Sequence, residues 1–237
     1  MSAVDWDKVS RKYNRIVFED PVYPETLKTI MEQVVGAHVA SILDLGCGTG
    51  NLIHLLLEKY PDSKISGVDP SSGMRKVTAD RFSDHPNVTI EGGDALDIPF
   101  PDQSFDYVVS NIALHHVPPD SRENCTLEIA RVVKAGGHLV YSDIFCGVEG
   151  PPEDPERCKD IIERITAKAL HSLEHGAYDM MMAELEVIPK AIRKEEDYLT
   201  TVEVWMKALE KAGFSDFEII NIPPIDLAKI ICCELKA

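Results

Sequence analysis

The spacing of hydrophobic positions along the chain changes repeatedly, and each change predicts an element. Residues 5–18 mix polar and aromatic positions (Trp6, Tyr13, Phe18), as in a short helix that leads into a loop broken by Pro21 and Pro24. Leu27, Ile30, Met31, Val34 and Val35 then recur at helical spacing, and Gly36 ends the run. From residue 41 onward short apolar runs alternate with amphipathic stretches. Strands are predicted at 41–45, 64–69, 88–91, 104–110 and 138–142, with helices at 51–60, 71–82 and 122–133 between them. Pro61 stops the first of these helices and Gly136-Gly137 the last. Such alternation predicts a parallel sheet with helices on both faces, and a ligand outside the carboxyl ends of the strands where their order reverses.

Residues 145–199 break the alternation. Gly150-Pro151-Pro152 and Pro155 open the region, and Ile161, Ile162, Ile165, Ala169 and Leu173 then follow helical spacing, as do residues 180–185. A helical lid inserted over the strand ends is the expectation. A final helix carries Val202, Trp205, Met206 and Leu209 and ends at Gly213. Strands at 217–222 and 228–235, joined through Pro223-Pro224, predict an antiparallel hairpin at the sheet edge.

The richest chemistry lies where the first strand meets its helix, in Asp44-Leu45-Gly46-Cys47-Gly48-Thr49-Gly50. The glycines let the backbone turn sharply and approach a ligand. A dinucleotide loop would place its third glycine at position 51, which is Asn51, and an acid at Asp44 is unfavourable beside a pyrophosphate. Beside an ammonium or sulfonium it is favourable. Asp69 closes the second strand about 20 residues on, where a carboxylate accepts hydrogen bonds from ribose hydroxyls. Asp94-Ala95 follows the third strand and suits the edge of an adenine.

With these motifs in place, the chain resembles the class I methyltransferases that use S-adenosylmethionine (SAM). The resemblance is strong over residues 40–145 and weaker to the end, through Lys211-Ala212-Gly213-Phe214 and the last hairpin. It implies a Rossmann-like α/β fold with a seven-stranded mixed sheet, helices on both faces and a lid insertion at about 145–199, all in one domain over 1–237. It also implies SAM as cofactor, held by Asp44, Gly46, Gly48, Gly50, Asp69, Met74, Asp94, Ala95, Asn111 and Ile112. The expected activity is methyl transfer to a small molecule, nearest in type to the ubiquinone/menaquinone C-methyltransferases. Alternatives are a carboxy-SAM synthase, with Arg193 and Lys194 as carboxylate partners, and a catalytically silent SAM-binding partner protein. His115 and His116 follow the fourth strand as candidate general bases, and Tyr13 is the candidate residue to close over the cofactor.

Composition narrows the partners. Forty acidic and 24 basic residues give a net charge of −16, which disfavours the phosphate backbone of nucleic acid. Six cysteines with no Cys-x-x-Cys pair predict reduced thiols. No signal peptide is read at the start and no 18-residue apolar run predicts a membrane span, so a cytoplasmic monomer or homodimer is expected. His171-x-x-Glu174-His175 and the Cys232-Cys233 pair are read as lid surface and strand packing, so no metal site is expected.

Overall fold

The computed structural model describes residues 6–36 and 40–236, with the side chains of residues 9, 11, 12 and 16 excepted, so residues 1–5 and the reading of the start as free of a signal peptide lie outside it. Two helices, α1 (Trp6–Val17) and α2 (Tyr23–Gln33), precede β1 (Ser41–Leu45). The alternating core follows: α3 (Asn51–Lys59), β2 (Lys64–Asp69), α4 (Ser72–Arg81), β3 (Val88–Gly92), β4 (Phe105–Asn111), α5 (Arg122–Val132) and β5 (Val133–Ile144). The helical pair α6 (Pro155–Glu174) and α7 (Tyr178–Arg193) comes next, then α8 (Val202–Lys211), β6 (Phe214–Asn221) and β7 (Ala228–Leu235).

The seven strands form one sheet in the order β3-β2-β1-β4-β5-β7-β6. Five are parallel, while β7 runs antiparallel to both β5 and β6. The order reverses between β1 and β4, which are paired at Asp44↔Val109. The sheet buries both faces, one under α2 and α3 around Ile42, Ile53, Leu56 and Val109, the other under α5 and α8 around Leu43, Val108, Tyr141 and Trp205. That is why the strands read as continuous apolar runs. Cys232 packs with the first cluster and Cys233 with the second, so the pair cannot chelate.

Two boundaries differ from expectation. The α5 helix ends at Val132, and Gly136-Gly137 lie inside β5 instead of stopping a helix. The register jumps from Phe105↔Val133 to Tyr107↔His138, and Gly136 at φ +72° accommodates the extra residues. The C-terminal strands do pair antiparallel, but β7 sits inside the sheet and only β6 is at the edge.

A buried ionic knot ties the helical insertion to the start of the chain. Lys168 on α6 lies 2.7 Å from Asp20 in the α1–α2 turn and contacts Glu184 on α7; all three side chains are less than 10% exposed. Arg157, fully buried, donates to the carbonyls of Ala191, Ile192 and Leu199 and so caps the end of α7. Removing one member of such a cluster leaves uncompensated charge in a dry site. Lys168→Ala is expected to cost about 3–5 kcal/mol in urea unfolding, whereas Lys76→Ala, which breaks the exposed pair with Asp80, should cost less than about 1 kcal/mol.

Candidate functional site

The carboxyl ends of β1, β2 and β4 surround a cavity of about 300 Å³. Its floor is the loop after β1, its sides are Val68, Asp69, Met74, Asp94, Ala95, Asn111 and Ile112, and Trp6 and Tyr13 of α1 close it. Gly46, at φ +78°, passes so close to Ala113 that a Cβ would sit 2.5 Å from that side chain. Gly48, at φ +52°, meets nothing within 4 Å, so a Cβ there would project into open space beside the cavity. The first glycine therefore serves packing and the second access. Ile112 also has φ +52°, an uncommon conformation for a β-branched residue, at the point where the chain leaves β4 and lines the cavity.

Two polar side chains here lack hydrogen-bond partners within the chain. Asn111 has neither its amide nitrogen nor its oxygen in a hydrogen bond, although the Tyr23 hydroxyl lies beside it. Asp44 is 2% exposed, and its Oδ2 has no hydrogen-bond partner. Burial, reinforced by the Asp69 charge, pushes the Asp44 carboxyl up to about 8. Asp69 is raised by burial too, although its oxygens accept from the amides of Gly48 and Ser71 at 2.9 Å each. Asp94 accepts from Leu96 N at 2.7 Å. No Lys or Arg lines the cavity among the described residues.

Of the residues expected from sequence, Gly46, Gly48, Asp69, Met74, Asp94, Ala95, Asn111, Ile112, Tyr13 and His116 line one cavity. Asp44 and Gly50 stand behind the loop, outside the lining, and so does His115. His115 is 7% exposed, with Nδ1 2.6 Å from Asp143 Oδ1 and its amide on Asp143 Oδ2 at 2.8 Å. Burial opposes its charge, but the Asp143 carboxylate outweighs that and the imidazole is held above its ordinary value. His116 is the opposite case: burial and the neighbouring His115 push it down to about 4. Its Nδ1 faces the Glu196 carbonyl at 2.8 Å, which makes Nδ1 the donor and leaves the lone pair on Nε2.

Among the described residues the helical insertion does not line the cavity; it reaches the two histidines through Glu196, Asp197 and Tyr198, whose amide donates to the His115 carbonyl at 2.9 Å. The cover is α1. Asp7 there accepts from Ser71 Oγ at 2.6 Å, Ser72 Oγ at 3.0 Å and Gly73 N at 2.7 Å, and so ties α1 to the start of α4. Those hydrogen bonds hold its carboxyl below the usual range. Asn14 Oδ1 accepts from Asn51 Nδ2 at 3.0 Å and lies 2.5 Å from Thr49 Oγ1, which fastens the glycine loop from above. Asp7, Asn14 and Trp6 carried no signal in the sequence, because an acid or amide in a polar helix is ordinary there. His171 and Glu174 form no metal cluster with His175, among the described residues, and His175 Nδ1 faces the His171 carbonyl at 2.8 Å.

Residues 42–137 match the model of a methyltransferase domain. An uncharacterized methyltransferase of Anoxybacillus flavithermus is 34% identical over 116 residues, which is 49% of this chain and 52% of that protein. The chain thus spans about half the length of that curated relative. A demethylmenaquinone methyltransferase of Listeria welshimeri is 32% identical over 143 residues, 58% of this chain and 60% of that protein. Among solved structures, phosphoethanolamine N-methyltransferase 2 of Haemonchus contortus, in complex with SAM, superposes with a TM-score of 0.70 at 16% identity; the match covers 98% of this chain and 57% of that one.

The raised Asp44 carboxyl has a measurable consequence without any ligand. Between pH about 4 and 8 the folded chain keeps a proton there that the unfolded chain releases, so this contribution to stability falls as pH rises through that window. Asp44→Asn should remove that part of the pH dependence and make the ligand-free protein more stable at pH 8 by about 1–3 kcal/mol. Thermal unfolding of both proteins at pH 5 and pH 8 measures it.

Proposed function

We propose that this chain is a class I SAM-dependent methyltransferase, as its methyltransferase-domain match and relatives support, and that it transfers the methyl group of SAM to a small-molecule acceptor. The observation that carries the reading is two polar side chains without hydrogen-bond partners, Asp44 behind the glycine loop and Asn111 in the cavity wall, with Asp69 and Asp94 lining the same cavity. Those residues fit SAM. Asp44 supports an ammonium group, Asp69 the ribose hydroxyls and Asp94-Ala95 the adenine edge, while Met74, 3% exposed, packs beside the base. Asn111 and Ile112 face the sulfonium side.

Bound SAM supplies a methyl group that its sulfonium has already activated. The chain's own contribution is alignment and exclusion of water, and such positioning can supply about 7–11 kcal/mol of the barrier. Trp6 and Tyr13 close the cavity from α1; burial keeps the Tyr13 hydroxyl protonated far above its usual range. His116 stands at the acceptor side, neutral near pH 7 and with Nε2 free of the Glu196 contact, so it can take the acceptor's proton. His115 acts through it: the two rings lie 4.0 Å apart, and Asp143 fixes the first.

The lining also speaks to the acceptor. Without a cationic side chain at the wall, a phosphorylated acceptor would bring charge with no partner, so a neutral or cationic acceptor fits better. The carboxy-SAM reading finds no support: Arg193 and Lys194 are absent from the lining, and Lys194 lies 4.0 Å from Glu149 instead. Intact Gly46, Gly48, Asp44 and Asp69 argue against a silent partner protein.

Calorimetric titration with SAM tests the cofactor. Saturable binding is expected at pH 7 with release of a proton from Asp44, seen as a dependence of the heat on the buffer. No binding at millimolar SAM would overturn the reading. Gly48→Ala is expected to weaken SAM by about tenfold or more, the equivalent of about 1.4 kcal/mol, while the folded signal persists. With an acceptor in hand, His116→Ala should lower kcat by about 10²–10⁴, and unchanged turnover would remove His116 from the chemistry.

A further inference from the structure

We propose that His115, His116 and Asp197 form a binding site for a divalent transition metal, zinc or a close relative, at the acceptor end of the cavity. One ligand atom from each of the three lies within 4.8 Å of the other two. Asp197 comes from the segment after α7, so no sequence motif joins it to the histidines. It is 7% exposed, and its Oδ1 sits 3.6 Å from His115 Nε2 and 3.5 Å from His116 Nδ1, beyond hydrogen-bond length in both directions. Two ligand atoms each about 2.0–2.2 Å from one zinc ion, at a near-tetrahedral angle, span a similar separation.

His115 has the outer partner that a metal-binding histidine needs. Histidine ligands donate their second ring N–H to a carboxylate or a backbone carbonyl, which fixes the tautomer and turns the other nitrogen to the ion. His115 Nδ1 faces Asp143 Oδ1 at 2.6 Å, leaving Nε2 toward Asp197. On His116 the atom that Asp197 approaches is Nδ1, at 3.5 Å, so the ion would take the place of the proton that Nδ1 otherwise shares with the Glu196 carbonyl at 2.8 Å. Asp143 and Asp197 are both buried, at 1% and 7% exposure, and a dication beside them would be held by charge as well as by coordination. Two imidazoles and one carboxylate suit zinc, iron, cobalt or nickel better than calcium or magnesium, which prefer all-oxygen shells.

His116 lines the cavity, and three protein ligands leave a fourth coordination position for an acceptor there. This selects the acceptor by class: a molecule presenting an oxygen or sulfur donor, such as a hydroxyl, enol or thiol, that completes the coordination. His116 then meets the acceptor through the ion instead of as a free base. This assignment of acceptor class rests on the methyl-transfer reading; metal binding itself does not. The competing occupant of the gap between His115 and Asp197 is a proton on Nε2.

Chelator-treated, folded protein titrated with Co²⁺ separates the two. One equivalent should bind with the visible bands of a low-symmetry site, and Zn²⁺ should displace it. Asp197→Asn, shown to be folded by circular dichroism, should weaken Zn²⁺ by at least about 100-fold, and Asp143→Asn by about 10–100-fold. His54→Ala, an exposed histidine beside Glu58, should leave affinity unchanged. Absence of saturable binding by the wild-type chain, or equal affinity in Asp197→Asn, overturns the proposal and assigns the gap to a proton. A SAM titration on the same samples keeps the readings apart: SAM bound without metal removes only the metal site, and metal bound without SAM removes only the cofactor reading.

Discussion

The site depends on the reversal of strand order between β1 and β4. On one side of this line the connections carry the chain toward β2 and β3, on the other toward β5. The helices that follow neighbouring strands therefore leave to opposite sides, and a crevice opens above the strand ends. The chain must turn there within a few residues, which Gly46 permits only because Ala113 fills the space a side chain would need. The carboxylate of Asp69 then ties the turn to β2 by accepting from Gly48 N. Position of the loop, direction of Asn111 and depth of the cavity all follow from that one junction.

Electrostatics at the junction are unbalanced by construction. Burial raises both the Asp44 and the Asp69 carboxyl, and the Asp69 charge raises Asp44 further, while no lysine or arginine lines the cavity among the described residues. A chain selected for stability alone would not keep an orphaned carboxyl oxygen in its core. The imbalance makes sense if a cationic ligand supplies the missing charge, so the ligand-free fold carries a cost that binding offsets.

The two covering elements divide the work differently from what the order of the chain suggests. The long insertion is held by its own polar knots, Lys168 with Asp20 and Glu184, and Arg157 on the end of α7. It meets the site's histidines through Glu196, Asp197 and Tyr198. The short first helix forms the roof, fastened by Asp7 to α4 and by Asn14 to the glycine loop. Its first turn is held by the exposed hydrogen bonds of Asp7, whereas Val17 at its far end is packed in the core, so the Asp7 end opens at lower cost.

Much of this was legible in the residues themselves. Apolar runs of four to seven positions, broken by glycine and proline, determine the strands and helices, because backbone geometry repeats locally. The glycine spacing with Asp44, Asp69 and Asp94 determines the cofactor end, because those residues sit beside strand ends wherever the sheet places them. The place of β7 inside the sheet and the Gly136 irregularity in β5 were not legible, since pairing partners distant in sequence decide them. Neither was the burial of His115 on Asp143, which separates it from His116 although the two are adjacent in the chain. Sequence by itself determined the elements and the glycine loop after β1, both products of local geometry. Only tertiary structure decided which element closes the cavity and which carboxylates meet the histidines, because those contacts join segments that share no local signal.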